Sequence, residues 1–150
     1  MFLRVTDCRI ASHSWNTTCV AEACENLAAA AGDIDDPVER LHRYITAALS
    51  GAFTDDRSGP QFITAEHWRL YQLFPEEMAR ANQPFADLVE RELEAASAAG
   101  LLHPTDARSD AWFAMKLVMA VFHHYAFAPQ VEPADDISER TWEFCLAAFR

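Results

Sequence analysis

Glycine is scarce in this sequence, with 4 residues among 150. Glycine-rich loops cradle phosphates and form nucleophile elbows, and no GxGxxG, P-loop or GxSxG pattern occurs here. Basic residues are few as well: 12 Lys and Arg stand against 23 Asp and Glu, for a formal net charge of -11. Because cations that neutralise phosphates supply most of the affinity for nucleic acid, this chain alone is not expected to bind DNA or RNA.

The sequence also lacks the spacings of a metal or redox site. Its four cysteines form no CxxC pair, and neither HExxH nor HxxxH occurs. The single Glu39-x-x-His42 is half of what a di-iron bundle would need, and it is compatible with an exposed helical pair. The acidic pairs at helix starts are explained by capping and the helix dipole. We therefore predict no metal, no cofactor and no catalytic residue.

Long apolar runs and targeting segments are missing too. The longest near-continuous apolar run, residues 111–122, is interrupted by Lys116 and is too short to span a bilayer. The first ten residues carry Arg4 and Asp7 and no apolar core of a signal peptide. We expect a cytoplasmic protein with no membrane partner, whose cysteines are reduced.

What the sequence does contain is helical periodicity. The seven prolines fall where helices would start or stop, and no segment alternates in the manner of a strand. The pattern predicts an all-α bundle of about six helices, with residues 1–16 as an irregular N-terminal segment and residues 17–150 as one domain. Asp36 with Pro37, and Thr105 or Asp106, are predicted to start helices. Pro84 predicts a kink or break near Asn82 to Gln83.

The stretch "MKLVMAVFHHYAF", residues 115–127, is apolar on almost every face of a helix yet carries His123 and His124. A helix of this kind must be covered on every face. Adjacent histidines diverge by about 100° and do not readily bind one metal ion. A core or interface histidine and a polar anchor for a bound ligand both fit the pattern. Aromatic residues on three successive helices fit either core packing or an apolar ligand pocket.

The segment "ELEAASAAGLLHPTDARSDAWFAMKLVMAVFHH" resembles the C-terminal regulatory domain of the TetR family of bacterial transcriptional repressors. The segments "DDPVERLHRYITAAL" and "DDISERTWEFCLAAF" are similar to flanking helices of that domain, so the resemblance spans about residues 20–149. It implies a homodimer in which the last two helices pair with their copies in a four-helix seam. It also implies a small apolar or aromatic ligand held beside the penultimate helix.

The resemblance assigns two sets of residues. The expected ligand-binding residues are Phe62, His67, Trp68, Tyr71, Phe74, Met78, Phe85, Phe113, Phe122 and His123. The expected dimer interface consists of Trp112, Met115, Met119, Trp142, Cys145, Leu146 and Phe149. The family's N-terminal helix-turn-helix head has no counterpart in "MFLRVTDCRIASHSWNTTCV". DNA would then be reached only through a missing head or a full-length partner.

Two other functions stay open at this point. One is a helical interaction module that binds no ligand. The other is a small helical enzyme that uses His67 or His123 as a base.

Overall fold

The chain folds into a bundle of α-helices. The computed structural model describes residues 14–129 and 131–150, with side chains from Val20 onward. These residues form six helices and no strand: α1 (Ser14–Ala30), α2 (Pro37–Ser50), α3 (Ser58–Leu73), α4 (Pro75–Ala98), α5 (Ala107–Phe127) and α6 (Ala134–Ala148). The predicted all-α class is confirmed.

Two helix starts follow from capping side chains, as the sequence predicts. Asp36 Oδ1 accepts a hydrogen bond of 2.9 Å from the backbone N–H of Val38, and Pro37 occupies the first position of α2. Asp106 Oδ1 accepts one of 3.0 Å from the N–H of Ser109 at the start of α5. Each carboxylate satisfies a backbone donor that has no partner inside the helix.

The end of α4 depends on a glycine. Gly100 has a φ of 70°, in the left-handed region. This turn lets the N–H of Leu101 reach the carbonyl oxygen of Ala96 at 2.9 Å and the N–H of Gly100 reach that of Ser97 at 3.0 Å. The pair of bonds is a Schellman motif, which closes the helix and redirects the chain.

Two local predictions concern the start and the continuity of helices. Helix α1 begins at Ser14, so residues 14–16 of the predicted irregular segment are helical, while residues 1–13 lie outside the described part. Helix α4 runs unbroken through Pro84, so the predicted break does not occur, and a kink there stays a prediction. Its apolar stripe continues on both sides of the proline, with Ala81, Phe85 and Val89 all buried. Burial of that stripe offsets the one backbone hydrogen bond that proline removes.

Helix α4 is the central element, packed against α1, α2, α3 and α5, while α6 packs mainly on α2. The main core lies between α2, α4, α5 and α6; its largest fully buried members include Leu41, Ile45, Leu49, Leu93 and Phe149. Helix α3 covers one end of α4 and α5 and contributes no residue to this core. The face of α3 against α4 and α5 therefore forms a separate, more polar contact.

A buried carboxylate joins α2 to α4. Glu92 is 2% exposed, and its Oε2 accepts a hydrogen bond of 2.7 Å from Arg40 Nε. Its Oε1 accepts bonds of 3.0 and 2.8 Å from Arg91 Nε and Nη2. Arg40 also donates to the carbonyl of Ile34 at 2.7 Å, which anchors the loop between α1 and α2. Two cations thus balance one anion that has almost no contact with water.

A second arginine closes the end of α5. The Arg57 guanidinium donates to the carbonyl oxygen of Tyr125 and, at 2.6 Å, to that of Ala128. These oxygens lie at or just past the C-terminus of the helix, where the carbonyls lack intrahelical partners and the dipole favours a cation. The loop before α3 is thereby fixed to the far end of α5.

Cys24 and Cys145 are free and buried. Burial raises the pKa of each thiol to about 11, so both act as small apolar side chains. Among the described helices, none is long and apolar enough to cross a membrane.

Candidate functional site

Helix α3 presents one face of polar and aromatic side chains to the rest of the bundle. Thr64, His67, Trp68 and Tyr71 follow one another at helical spacing, so they share a side of the helix. Thr64 and His67 are buried, and Trp68 is 57% exposed at the outer edge. This face meets His123 of α5, and the five residues define what we call the histidine site.

Rings are in contact throughout the histidine site. The centroids of His67 and His123 lie 4.5 Å apart, with a tilt of 42°. His67 also contacts Tyr71 at 4.9 Å and Trp68 edge-on at 5.5 Å. Trp68 reaches over to His123 at 5.7 Å. These separations are typical of aromatic packing, so the flat rings of Trp68 and Tyr71 pack around the two imidazoles.

One polar atom of the site has no partner. Thr64 Oγ1 and His123 Nδ1 are hydrogen-bonded at 2.8 Å, which fixes the orientation of the His123 ring. The other ring nitrogen, His123 Nε2, is buried and lacks a hydrogen-bond partner. In the described part of the chain, no other buried side-chain nitrogen or oxygen is left in this condition. Such a group is costly in a folded protein and requires an explanation.

Helix α4 supports the site through Asn82. Its Nδ2 donates to the hydroxyl oxygen of Tyr71 at 3.2 Å and to the carbonyl oxygen of Met78 at 3.0 Å. Asn82 and Met78 are both buried. The amide therefore holds the Tyr71 ring against His67 from the α4 side.

Both imidazoles are neutral near pH 7. Burial, together with the neighbouring His123, lowers the pKa of His67 to about 4. Burial also lowers the pKa of His123. The charged residues of α3 pair with each other, since Arg69 Nη2 lies 2.5 Å from Glu66 Oε2. The site thus offers aromatic faces and neutral hydrogen-bonding groups.

This chemistry suits binding better than proton transfer. A general base is most effective when its pKa lies near the working pH, and a pKa of about 4 leaves His67 a weak base. The described residues hold no group of three or more His, Cys, Asp or Glu side chains arranged to bind a metal ion. The site combines aromatic rings with neutral hydrogen-bonding groups, of which His123 Nε2 is buried and has no hydrogen-bond partner.

The structure places six of the ten residues predicted to bind ligand in or beside the histidine site. His67, Trp68, Tyr71 and His123 form the histidine site, Phe122 packs edge-on against His123 at 5.7 Å, and Met78 is linked to it through Asn82.

The other predicted ligand residues lie elsewhere. Phe85 belongs to the main core, and Phe74 forms the junction between α3 and α4. Phe62 is 42% exposed. Phe113 is 70% exposed, because Ala111, Ala114 and Met115 take the inward side of α5 at that level.

Thr64 and Asn82 are functional candidates that sequence reasoning missed. Both are small polar residues among aromatic ones, and neither fits an apolar-pocket pattern. The spacing of Thr64 to His67, Trp68 and Tyr71 is the signal that would have found the first. The position of Asn82 four residues after Met78 on α4 would have suggested the second.

The residues expected in a dimer seam are covered largely by their own chain. Met115, Trp142, Cys145 and Phe149 are buried in the main core, and the remaining three, Trp112, Met119 and Leu146, are partly buried against it. The exposed apolar residues of the last two helices are Phe113, Phe127 and Phe144, of which Phe113 and Phe144 are 70% and 69% exposed. Contact with a second copy stays a prediction.

Comparison of the chain with protein-family models, with curated proteins and with solved structures gives no match.

Proposed function

We propose that this chain is the ligand-sensing and dimerisation domain of a TetR-type transcriptional regulator, which binds a small apolar or aromatic effector at the histidine site. The observation that supports it most is the convergence of His67, Trp68, Tyr71 and His123 around an unpartnered buried nitrogen. A ligand site needs apolar walls with one or two placed polar groups, and this cluster has that composition.

The effector would act through the position of α3. This helix lies outside the main core and meets α4 and α5 across the histidine site. A ligand that binds one arrangement of α3 more tightly than another shifts the population toward it. DNA would be read by a head domain on the same polypeptide or on a partner subunit, since the chain's charge of -11 opposes phosphate binding.

Dimerisation is supported by the uncovered side of the last two helices. Phe113 on α5 and Phe144 on α6 expose large apolar rings that a second copy would cover. We therefore place the seam on these outward faces. The buried residues Met115 and Cys145 would support it from behind.

The test combines two measurements on the wild-type chain. Sedimentation velocity should give a dimer, and Phe113→Glu should shift it to monomer, while Leu73→Glu on the exposed side of α3 serves as the matched control. A thermal-shift screen of uncharged aromatic compounds should yield binders that raise Tm. At a ligand concentration 100 times Kd, the expected rise is about 5–10 °C for a chain of this size.

The outcomes separate the alternatives. A dimer with no compound that raises Tm would favour an interaction module without a ligand. A monomer that no compound stabilises would overturn the proposal.

A further inference from the structure

We propose that the histidine site selects an uncharged planar aromatic molecule bearing a hydrogen-bond acceptor, such as a ketone oxygen, which receives the Nε2–H of His123. This inference rests on the proposed ligand-sensing function and specifies its ligand class. The His123 side chain is 8% exposed, and its Nε2 is a buried polar atom without a hydrogen-bond partner. An acceptor on the ligand would complete its hydrogen bonding.

The direction of the Thr64 bond decides whether Nε2 offers a proton or a lone pair. Helical threonines commonly donate to a carbonyl four residues earlier, as Thr46 does to His42 at 2.9 Å and Thr141 to Ile137 at 2.8 Å. Thr64 is bonded to His123 Nδ1 instead. If its hydroxyl donates to Nδ1, the ring proton sits on Nε2 and a single donor lacks a partner.

The opposite direction of the hydrogen bond between Thr64 and His123 leaves more polar groups without partners. If Nδ1–H donated to Thr64, the hydroxyl proton of Thr64 and the lone pair of Nε2 would both need partners. A buried donor or acceptor without a partner is costly, so the arrangement with fewer of them is favoured. His123 therefore presents an N–H, and its complement is an acceptor.

The walls of the site define the rest of the ligand. The His67 ring contacts that of Tyr71, and Phe122 packs edge-on against His123. Flat rings pack best against a flat partner in offset or edge-on contact. Trp68, the exposed ring over His123, would move aside to admit it, and its fluorescence would report the event.

Charge is disfavoured at this position. The two imidazoles are neutral, and Glu66 and Arg69 of α3 are paired with each other. A carboxylate would have to leave water without a cation to receive it, which is unfavourable. An anionic relative of a good ligand should therefore bind more weakly.

Four tricyclic probes of nearly equal shape test the inference on the full chain. Fluorenone carries a carbonyl acceptor, carbazole an N–H donor, fluorene neither, and fluorenone-2-carboxylate adds a negative charge. We expect fluorenone to bind about tenfold more tightly than fluorene or carbazole, measured by tryptophan fluorescence and calorimetry. The carboxylate should bind more weakly than the parent ketone.

Variants assign the preference to the proposed bond. His123→Leu should abolish the advantage of fluorenone, and His123→Gln, whose amide can replace the Nε2–H, should retain part of it. Thr64→Val should reduce the preference for fluorenone over carbazole, because it releases the proton on His123. His124→Gln alters the adjacent exposed histidine and should change nothing. Circular dichroism and Tm verify that each variant folds. If His123→Leu does not fold, the preference for fluorenone in Thr64→Val tests the proposed hydrogen bond in its place.

Each contrary result overturns a specific part of the proposed ligand recognition. Equal affinities for fluorenone and fluorene, or a preference for carbazole, would overturn the acceptor assignment. An unchanged preference in His123→Leu would overturn the role of His123. Tighter binding of the carboxylate, or no binding of any probe, would overturn the ligand class. The proposed sensing function is tested separately by the compound screen and by sedimentation. Failure of the ligand class can therefore be distinguished from failure of the sensing function.

Discussion

Acidification should destabilise this chain through His67 before most carboxylates titrate. Burial and the neighbouring His123 lower the pKa of His67 from 6.5 to about 4 in the folded chain. His67 therefore takes up a proton near pH 6.5 in the unfolded chain, but only near pH 4 in the folded chain. Stability contributed by the neutral imidazole is fully present above pH 6.5. It is lost progressively as the pH falls from 6.5 toward 4.

The magnitude follows from these two values. At pH 5 the unfolded imidazole is almost fully protonated while the folded one is almost fully neutral. The difference lowers the free energy of unfolding by about 2 kcal/mol relative to pH 7.5. The lowered pKa of His123 acts in the same direction and adds to this loss.

The assay is urea denaturation of the wild type and of His67→Gln at pH 7.5 and pH 5.0. The variant has no imidazole at this position, so its loss of stability on acidification should be smaller by about 2 kcal/mol. Comparing the two proteins cancels the carboxylates that they share. His103→Gln, which changes an exposed histidine in the loop after α4, is the matched control and should lose as much as the wild type.

Equal losses in wild type and His67→Gln would refute the reasoning. They would mean that His67 reaches water or a proton acceptor in the folded chain, and that burial in the histidine site does not keep it neutral.

Three further predictions concern stability and use urea or thermal denaturation. Arg40→Met should cost about 2–4 kcal/mol because it leaves the buried Glu92 carboxylate short of a cation, and adding Glu92→Met should recover part of that loss; a double variant less stable than Arg40→Met would contradict this. Gly100→Ala should cost about 1 kcal/mol through its φ of 70° alone, since a Cβ there meets no atom within 4 Å, and Gly100→Asn should cost less. Arg57→Met should cost about 1–3 kcal/mol and speed hydrogen exchange at the end of α5, while unchanged exchange there would count against its capping role.

The helices could be predicted because their signals are local. Asp36 is predicted and observed as an N-cap, and of the two candidates Thr105 and Asp106 the structure has Asp106 as the N-cap of α5. Local rules predict a kink or break at Pro84, but no break occurs, because tertiary packing decides whether a helix continues through a proline. The buried stripe on both sides of it has no counterpart in a local rule.

The candidate site could be predicted only in part, since a residue's type does not reveal the face of a helix that neighbours cover. His67, Trp68, Tyr71 and His123 were found as aromatic and imidazole groups on neighbouring helices. Phe113 is also an aromatic residue on one of these helices, but its side chain is exposed. Whether α5 turns one ring or another inward depends on how α3, α4 and α6 pack around it, which no pattern in α5 specifies.

The contrast between Glu92 and His123 argues that the unpartnered nitrogen is not a failure of packing. The same fold surrounds a 2%-exposed carboxylate with two arginines and satisfies both of its oxygens. At His123 it orients the ring with one hydrogen bond and leaves the other nitrogen buried and unsatisfied. An apolar ring such as phenylalanine would fill a similar volume without that cost of about 1–3 kcal/mol. Places where a sequence breaks a local rule that it follows elsewhere are commonly functional sites. In the proposed function, the unsatisfied Nε2 has the role of a binding group whose partner would be the ligand.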